Sequence, residues 1–281
     1  MRRLIVVGSS VLLGACLFAS TFGFWYALNV VDEDRFTDHA LTSFEREGSY
    51  DALGDLVARK VVAAYPSLAL LGSSLSTLLG ALLATEPFEP ALDQIARDLH
   101  DRILANEDEP IVFDLADFED ALVGQLSVVS PDLVRLIPAD AFREYTVLEA
   151  DEIPRIRDET DRLRVVAIGA IVIGFLLVGT IVVSSASDHE ALLSHGLAFT
   201  IAGLFSWLLT STTRGTLSDV VDDEAYRTVL VNLYDTMAES LQALTVVLLV
   251  VGGALLVSGA ALMVARTRSA DSQGADDVVD S

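Results

Sequence analysis

A mainly α-helical membrane protein is what this sequence predicts, with four transmembrane helices and a mostly helical extracytoplasmic domain that carries a short two-stranded ribbon. Three observations predict it. Apolar residues make up 52% of the 281 and are bunched into four uncharged runs, residues 4–31, 165–187, 191–213 and 240–265. Each run exceeds the roughly 20 residues that a spanning helix needs. The remainder is acidic: 41 Asp and Glu stand against 18 Lys and Arg, and residues 32–164 hold 29 acids and 12 bases, a net of −17. Arginines flank the outermost runs, with Arg2 and Arg3 before the first and Arg266 and Arg268 after the last. Positive charge there favours the cytoplasmic side, so four crossings place both termini of a multi-pass cell-membrane protein in the cytoplasm.

Taken in order, residues 1–31 read as an uncleaved anchor. Cys16, the single cysteine, sits in Leu13-Gly14-Ala15-Cys16, which has the look of a lipidation box. The chain stays apolar after it, however, and ends in Phe22, Phe24, Trp25 and Tyr26, rings that suit the outer membrane interface. Residues 32–164 form the extracytoplasmic domain. Ser49 is placed to cap a helix reaching about Tyr65, and Ser67 to cap the next. Between Lys60 and Glu86 lie 25 uncharged residues. Leu68, Leu71, Leu75, Leu78 and Leu82 form a stripe there, with Ser, Thr and Gly on the rest of the surface. That pattern predicts an amphipathic helix packed in the domain rather than a fifth span. Pro87 and Pro90 open a helix with Ala91, Ile95, Leu99 and Ile103 on one face. Residues 111–115 and 145–149 are apolar runs too short for helices and predict the ribbon, each followed by an acidic helix start at Asp117 or Asp151.

Ile153, Ile156, Thr160, Leu163, Ala167, Ala170 and Gly174 keep one helical face across the charge break at Arg164, which predicts a single stiff helix leading from the domain into the second span. Residues 165–187 and 191–213 are the second and third spans, joined by a tight cytoplasmic turn. Residues 214–239 are a second extracytoplasmic loop, rising as a helix from about Asp222, with Val229, Leu230, Leu233 and Met237 packed on the larger domain. Residues 240–265 are the fourth span. Residues 266–281, acidic and rich in Ser, predict a disordered cytoplasmic tail.

The run Asn29-Val30-Val31-Asp32-Glu33-Asp34-Arg35-Phe36, just past the first span, resembles that of a group of uncharacterised integral membrane proteins of actinobacteria and haloarchaea. The resemblance implies one span, a mainly helical outer segment and three further spans; it carries no activity and no site residues.

Candidate chemistry is sparse. His189, Glu190 and His195 have the residue types of a zinc-protease helix, but histidines six apart fall on different faces and cannot share one metal. His39 and His100 have no companions at ligand spacing and are expected at solvated helix positions. Asp219, Asp222, Asp223 and Glu224, and likewise Asn106 with Glu107, Asp108 and Glu109, lack the alternating pattern of a calcium loop. Asp222 or Asp223 is placed to favour a helix N-terminus. Gly169, Gly174 and Gly179 are five apart, whereas Ala254 and Ser258 have close-packing spacing. No catalytic, cofactor-binding or metal-binding residue is assigned and no cofactor is expected. The acidic surface fits a halophilic protein, because molar salt shortens the screening length to about 3 Å; the alternative is a surface for cations or a basic partner. It disfavours nucleic acid. The expected role is a non-enzymatic interaction or envelope-organising protein, its partners the lipid bilayer and another membrane or envelope protein. A small-molecule channel or transporter subunit is the alternative, though no charge lies at mid-depth in any span.

Overall fold

The computed structural model describes residues 2–105, 111–113, 123–124, 127, 145–148 and 156–279. In chain order the elements are α1 (Arg2–Tyr26), a π-turn (Ala27–Val31), α2 (Glu33–Phe44), α3 (Ser49–Ala64), a 3-10 turn (Pro66–Leu71), α4 (Gly72–Leu83), a second 3-10 turn (Glu86–Phe88), α5 (Glu89–Ala105), β1 (Ile111–Phe113), β2 (Tyr145–Leu148), α6 (Ile156–Ser184), α7 (Asp188–Val220) and α8 (Glu224–Val279). The fold is mainly helical. Four stretches are long and apolar enough to cross a membrane: Arg2–Val31, Arg162–Ser184, Asp188–Asp219 and Glu224–Arg268. The chain divides into two compact units, Met1–Tyr26, Arg162–Thr212 and Glu239–Ser281 in the first, Ala27–Asp161 and Thr213–Ala238 in the second.

The first unit is held together by close helix approach. Gly196 and Gly203 on α7 lie seven residues apart, as do Gly252 and Gly259 on α8. A Cβ at Gly252 would stand 2.6 Å from Thr200 Oγ1 and 2.8 Å from its backbone nitrogen, and one at Gly196 would stand 2.8 Å from Leu256 N. Small residues let the two backbones meet, so that dispersion contacts run along the seam. The same seam continues in a hydrogen bond between Ser206 and Thr245 hydroxyls, 2.6 Å and buried. Ala254 and Ser258, the pair whose spacing drew notice in the sequence, lie on the exposed side of α8. Contact therefore follows the seven-residue glycine repeat, not the four-residue one.

On α1, Trp25 is packed into the bundle: it is only 7% exposed and its Nε1–H donates to Ser240 Oγ at 2.9 Å. Phe24 is the exposed ring, at 63%. Cys16 is buried against α6, where a Cβ on Gly174 would lie 3.8 Å from its Cβ.

The second unit has its own core. Ala58 and Val61 of α3, Leu75, Leu79, Leu82 and Leu83 of α4, and Phe88 and Leu92 form one buried cluster, with Leu68 joining them. The apolar stretch after Lys60 therefore packs inward, largely on the stripe that its spacing predicts: Leu68, Leu75 and Leu82 are buried and Leu78 packs against them, with Leu79 and Leu83 added and Leu71 left out. Pro66–Leu71 is a separate 3-10 turn, which shifts the helical phase at Gly72. Leu71 is consequently 37% exposed while Leu79 is fully buried. The segments Leu68–Leu83 and Glu86–Asp101 meet at 82°. The backbones of α3 and α4 touch: a Cβ on Gly54 would fall 2.4 Å from Gly80 N.

Helix starts also differ from the expected caps. Gly48, with φ +80°, turns the chain into α3, and Ser49 is inside the helix, its hydroxyl donating to Ser43 O at 2.7 Å. Glycine reaches that left-handed conformation without a steric penalty. Ser67 lies within the 3-10 turn, and Leu71 occupies the cap position of α4. At α8, Asp223 is the cap: its Oδ1 accepts from the backbone N–H of Ala225 and Tyr226 at 3.0 and 3.2 Å. The start of α8 is tied down mainly by polar contacts. Arg59 pairs with Asp223 through both terminal guanidinium nitrogens, and Asn232 Nδ2 donates to Ser49 Oγ at 2.7 Å. Met237 is buried, whereas Leu230 is exposed.

β1 and β2 pair antiparallel, Val112 opposite Thr146 and Phe113 opposite Tyr145, with an irregularity before Val112. So short a pair adds little to a helical unit. The helix starts expected at Asp117 and Asp151 and the acidic group at residues 106–109 lie outside the described residues. The stretch beyond residue 266, expected to be disordered, continues α8 as helix to Val279. Extending an existing helix costs far less than starting one, and composition alone does not register that.

Candidate functional site

The segment that carries the resemblance becomes the best-connected polar region of the second unit. After α1 the backbone widens into the π-turn, a geometry that single helical turns adopt frequently at functional sites. Asp32 then caps α2, its Oδ1 accepting from Arg35 N–H at 3.0 Å. Acidic Glu33 and Asp34 occupy the first turn of α2, where negative charge is stabilised by the helix dipole.

Arg97 on α5 reaches across to them. Its Nη1 donates to Glu33 Oε1 at 2.9 Å and Asp34 Oδ1 at 3.0 Å, while Nε donates to Asp93 Oδ2 at 3.0 Å. Its hydrogen bonds to Asp93, Glu33 and Asp34 push the guanidinium pKa above its already high ordinary value, so it stays charged. Three residues further along α5, His100 is only 5% exposed. Its Nε2–H donates to Val31 O at 3.2 Å, and its ring lies 5.1 Å from that of Phe36. His39 Nε2 is 2.9 Å from Asn29 Oδ1, and Asn29 is itself buried. The expectation of solvated histidines is therefore corrected: both are used to fasten the π-turn, one to a side chain and one to a carbonyl. Thr37 Oγ1, buried beside this cluster on α2, has no hydrogen-bond partner among the described residues.

Adjoining the Arg97 network is a groove of about 810 Å³, lined by Leu41, Glu86, Pro87, Glu89, Pro90, Asp93 and Gln94. Asp93 belongs to both: one carboxylate oxygen holds Arg97 and the side chain lines the groove. Glu86 and Glu89 are exposed. Burial first, and then the charges of Glu45 and Glu89, push the Tyr50 phenol above its ordinary pKa. Two prolines and the Leu41 side chain give the walls a stiff, partly apolar surface. Such a groove can accept a cationic, extended segment.

The other sequence candidates do not assemble. His189 Nε2 lies 3.2 Å from Ser187 Oγ, whereas His195 Nδ1–H donates to Ala191 O at 2.7 Å within its own helix. Asp223 is used by its helix and by Arg59; the Arg59 hydrogen bond chiefly, with the backbone N–H groups and charge of Arg59 adding, pushes its pKa down to about 2. Among the described residues no group of three or more His, Cys, Asp or Glu is arranged to hold a metal ion. A cleft of about 260 Å³ between α1 and α6 is lined by Leu13, Leu17, Ile171, Phe175 and other mostly apolar groups; Ser20 there donates back to Cys16 O. It provides no polar route for an ion.

Arg97 and Asp93 escaped the sequence reading. The bonds from Arg97 to Glu33 and Asp34 join residues more than sixty apart, which no local spacing encodes, whereas its bond to Asp93, four residues away, follows a helical spacing that could have been read. No protein-family model, curated protein or solved structure matches the chain.

Proposed function

We propose that this is a multi-pass cell-membrane protein that presents its second unit outside the cytoplasm as a docking module for a cationic segment of another membrane or envelope protein. The groove beside Arg97 is the observation that carries the reading: Glu86, Glu89 and Asp93 supply charge, while Leu41, Pro87 and Pro90 supply a fixed apolar wall. Electrostatic complementarity of this kind contributes specificity and association rate more than raw affinity. A short ribbon, β1 with β2, completes the helical docking unit.

The orientation is supported from within the first unit. Arg2 donates to Ser184 and Ser185 carbonyls at the end of α6, and Arg266 lies 3.3 Å from Asp188 at the start of α7. One end of that unit thus gathers arginines, as cytoplasmic ends do. The acidic surface elsewhere suits a halophilic setting, in which salt screens its self-repulsion.

The test is photocrosslinking in native membranes from Gln94, which lines the groove, followed by identification of the captured protein. The expected result is a discrete adduct with a protein whose crosslinked peptide is rich in Lys or Arg, lost when Glu86→Lys and Glu89→Lys are introduced together. Capture that survives this charge reversal, or no adduct from the groove at all, would refute the reading.

A further inference from the structure

We infer that the first unit holds an anionic phospholipid in a groove between α1 and α7, with Arg3 as the head-group contact. This goes beyond the docking role above, since it concerns a different unit and a different ligand.

The two arginines that open α1 have different surroundings. Arg2 is committed: it donates to the last carbonyls of α6, at Ser184 and Ser185. Arg3 makes no hydrogen bond or ion pair among the described residues, and it lines two adjoining cavities. The larger, about 630 Å³, is the more polar of the two and adds Arg2, Ser187 and His189. The smaller, about 230 Å³, runs along α1 and α7 beside Val6, Val7, Leu193 and Leu197. Arg3, Glu190 and Leu193 belong to both, so the polar mouth opens directly into the apolar track. The track's own hydroxyls are already used: Ser10 donates to Val6 O and Ser194 to Glu190 O, both at 2.8 Å. From Arg3 to Ser10, and from Glu190 to Leu197, each helix advances about 10 Å at 1.5 Å per residue.

A charged mouth joined to a dry track about 10 Å long matches a phosphodiester head on an acyl chain, and a free phosphate would leave the track empty. The head-group charge is also constrained. Glu190 lines the mouth, its Oε2 accepting from Ala186 N–H at 2.7 Å. A second carboxylate, Asp188, is close in sequence and held by Arg266. Multiply charged heads would be repelled by Glu190, whereas a singly charged head bearing hydroxyls can place its phosphate on Arg3 and donate a hydroxyl to Glu190. Phosphatidylglycerol has that chemistry. Basic residues near a membrane surface each attract anionic lipid measurably.

The experiment is native mass spectrometry of the full chain in detergent, titrated separately with phosphatidylglycerol, phosphatidylcholine and inorganic phosphate. Retention of one phosphatidylglycerol, exceeding phosphatidylcholine about fivefold and falling about fivefold in Arg3→Gln, is the expected result. Leu197→Trp fills the track from α7, at the end away from Arg3, and should abolish retention. Equal retention of phosphatidylcholine, displacement of the lipid by inorganic phosphate, or wild-type retention in either variant would overturn the inference.

Discussion

Replacing Gly54 with alanine tests the packing of the second unit where it is least forgiving. A Cβ on Gly54 would sit 2.4 Å from Gly80 N, 2.5 Å from Ser76 O and 2.7 Å from Gly80 Cα. All three are backbone atoms, so no side chain can swing aside, and α4 must move roughly 1 Å away from α3 to restore ordinary contact. Overpacking of this kind costs up to about 3 kcal/mol, and the better helix propensity of alanine returns about 1. The net loss of about 2 kcal/mol acts on the cluster of Leu75, Leu79, Leu82 and Leu83. Local opening should become easier by roughly thirtyfold. Hydrogen exchange of the full chain in detergent, read by mass spectrometry, resolves this: peptides from α3 and α4 should exchange faster, while those from the glycine seam of α7 and α8 keep their rates. Gly169→Ala is the matched control, because nothing lies within 4 Å of its Cβ, and it should leave α6 unchanged or slower to exchange. Unchanged or slower exchange of α3 and α4 in Gly54→Ala would refute the reasoning.

Phe88, fully buried, should cost about 3–5 kcal/mol when cut to alanine, seen as a large fall in the denaturation midpoint of the second unit. Gly252→Val should separate α7 from α8, because its Cβ already meets the Thr200 backbone at 2.8 Å; a cysteine pair engineered across the seam would then lose its disulfide yield. Asp223 has its pKa pushed down to about 2 through Arg59, below the unfolded value near 3.9. Its contribution is therefore fully present above about pH 4 and is lost as pH falls through 2. With Arg59 half exposed, screening reduces this to about 1 kcal/mol. An acid titration of stability should show that loss in wild type and not in Asp223→Asn, which keeps an N-capping side chain without the charge.

Much of the layout was legible because lipid imposes a simple demand: every spanning helix must be apolar for about 30 Å. The charge break at Arg164 lies beside Arg162, where the second membrane-length helix begins. The packing was less legible, although part of its signal was present. Gly196 with Gly203 and Gly252 with Gly259 repeat at seven residues, a period overlooked in favour of Ala254 and Ser258. Pro66 announced a break, but a 3-10 turn carrying the chain to Leu71 could not be told from a helix by composition, so Leu71 was placed on the buried stripe although it is exposed. The groove and the bonds from Arg97 to Glu33 and Asp34 were out of reach in principle. They depend on how α5 lies against α2 and the π-turn, and the chain between those elements contains no mark of that geometry. His100 illustrates the point: an isolated histidine among acids reads as solvated, yet Val31 O and Phe36 enclose it.

Side-specific labelling is the most direct test of the central proposal, that residues 32–164 and 214–239 are extracytoplasmic and both chain termini cytoplasmic. With Cys16→Ala as background, Leu70→Cys, whose position is 97% exposed, and Ser218→Cys should react with a membrane-impermeant maleimide on intact cells. Ala186→Cys and Thr267→Cys should react only after permeabilisation. Labelling of residue 186 or 267 on intact cells, or protection of 70 and 218 there, would contradict the account.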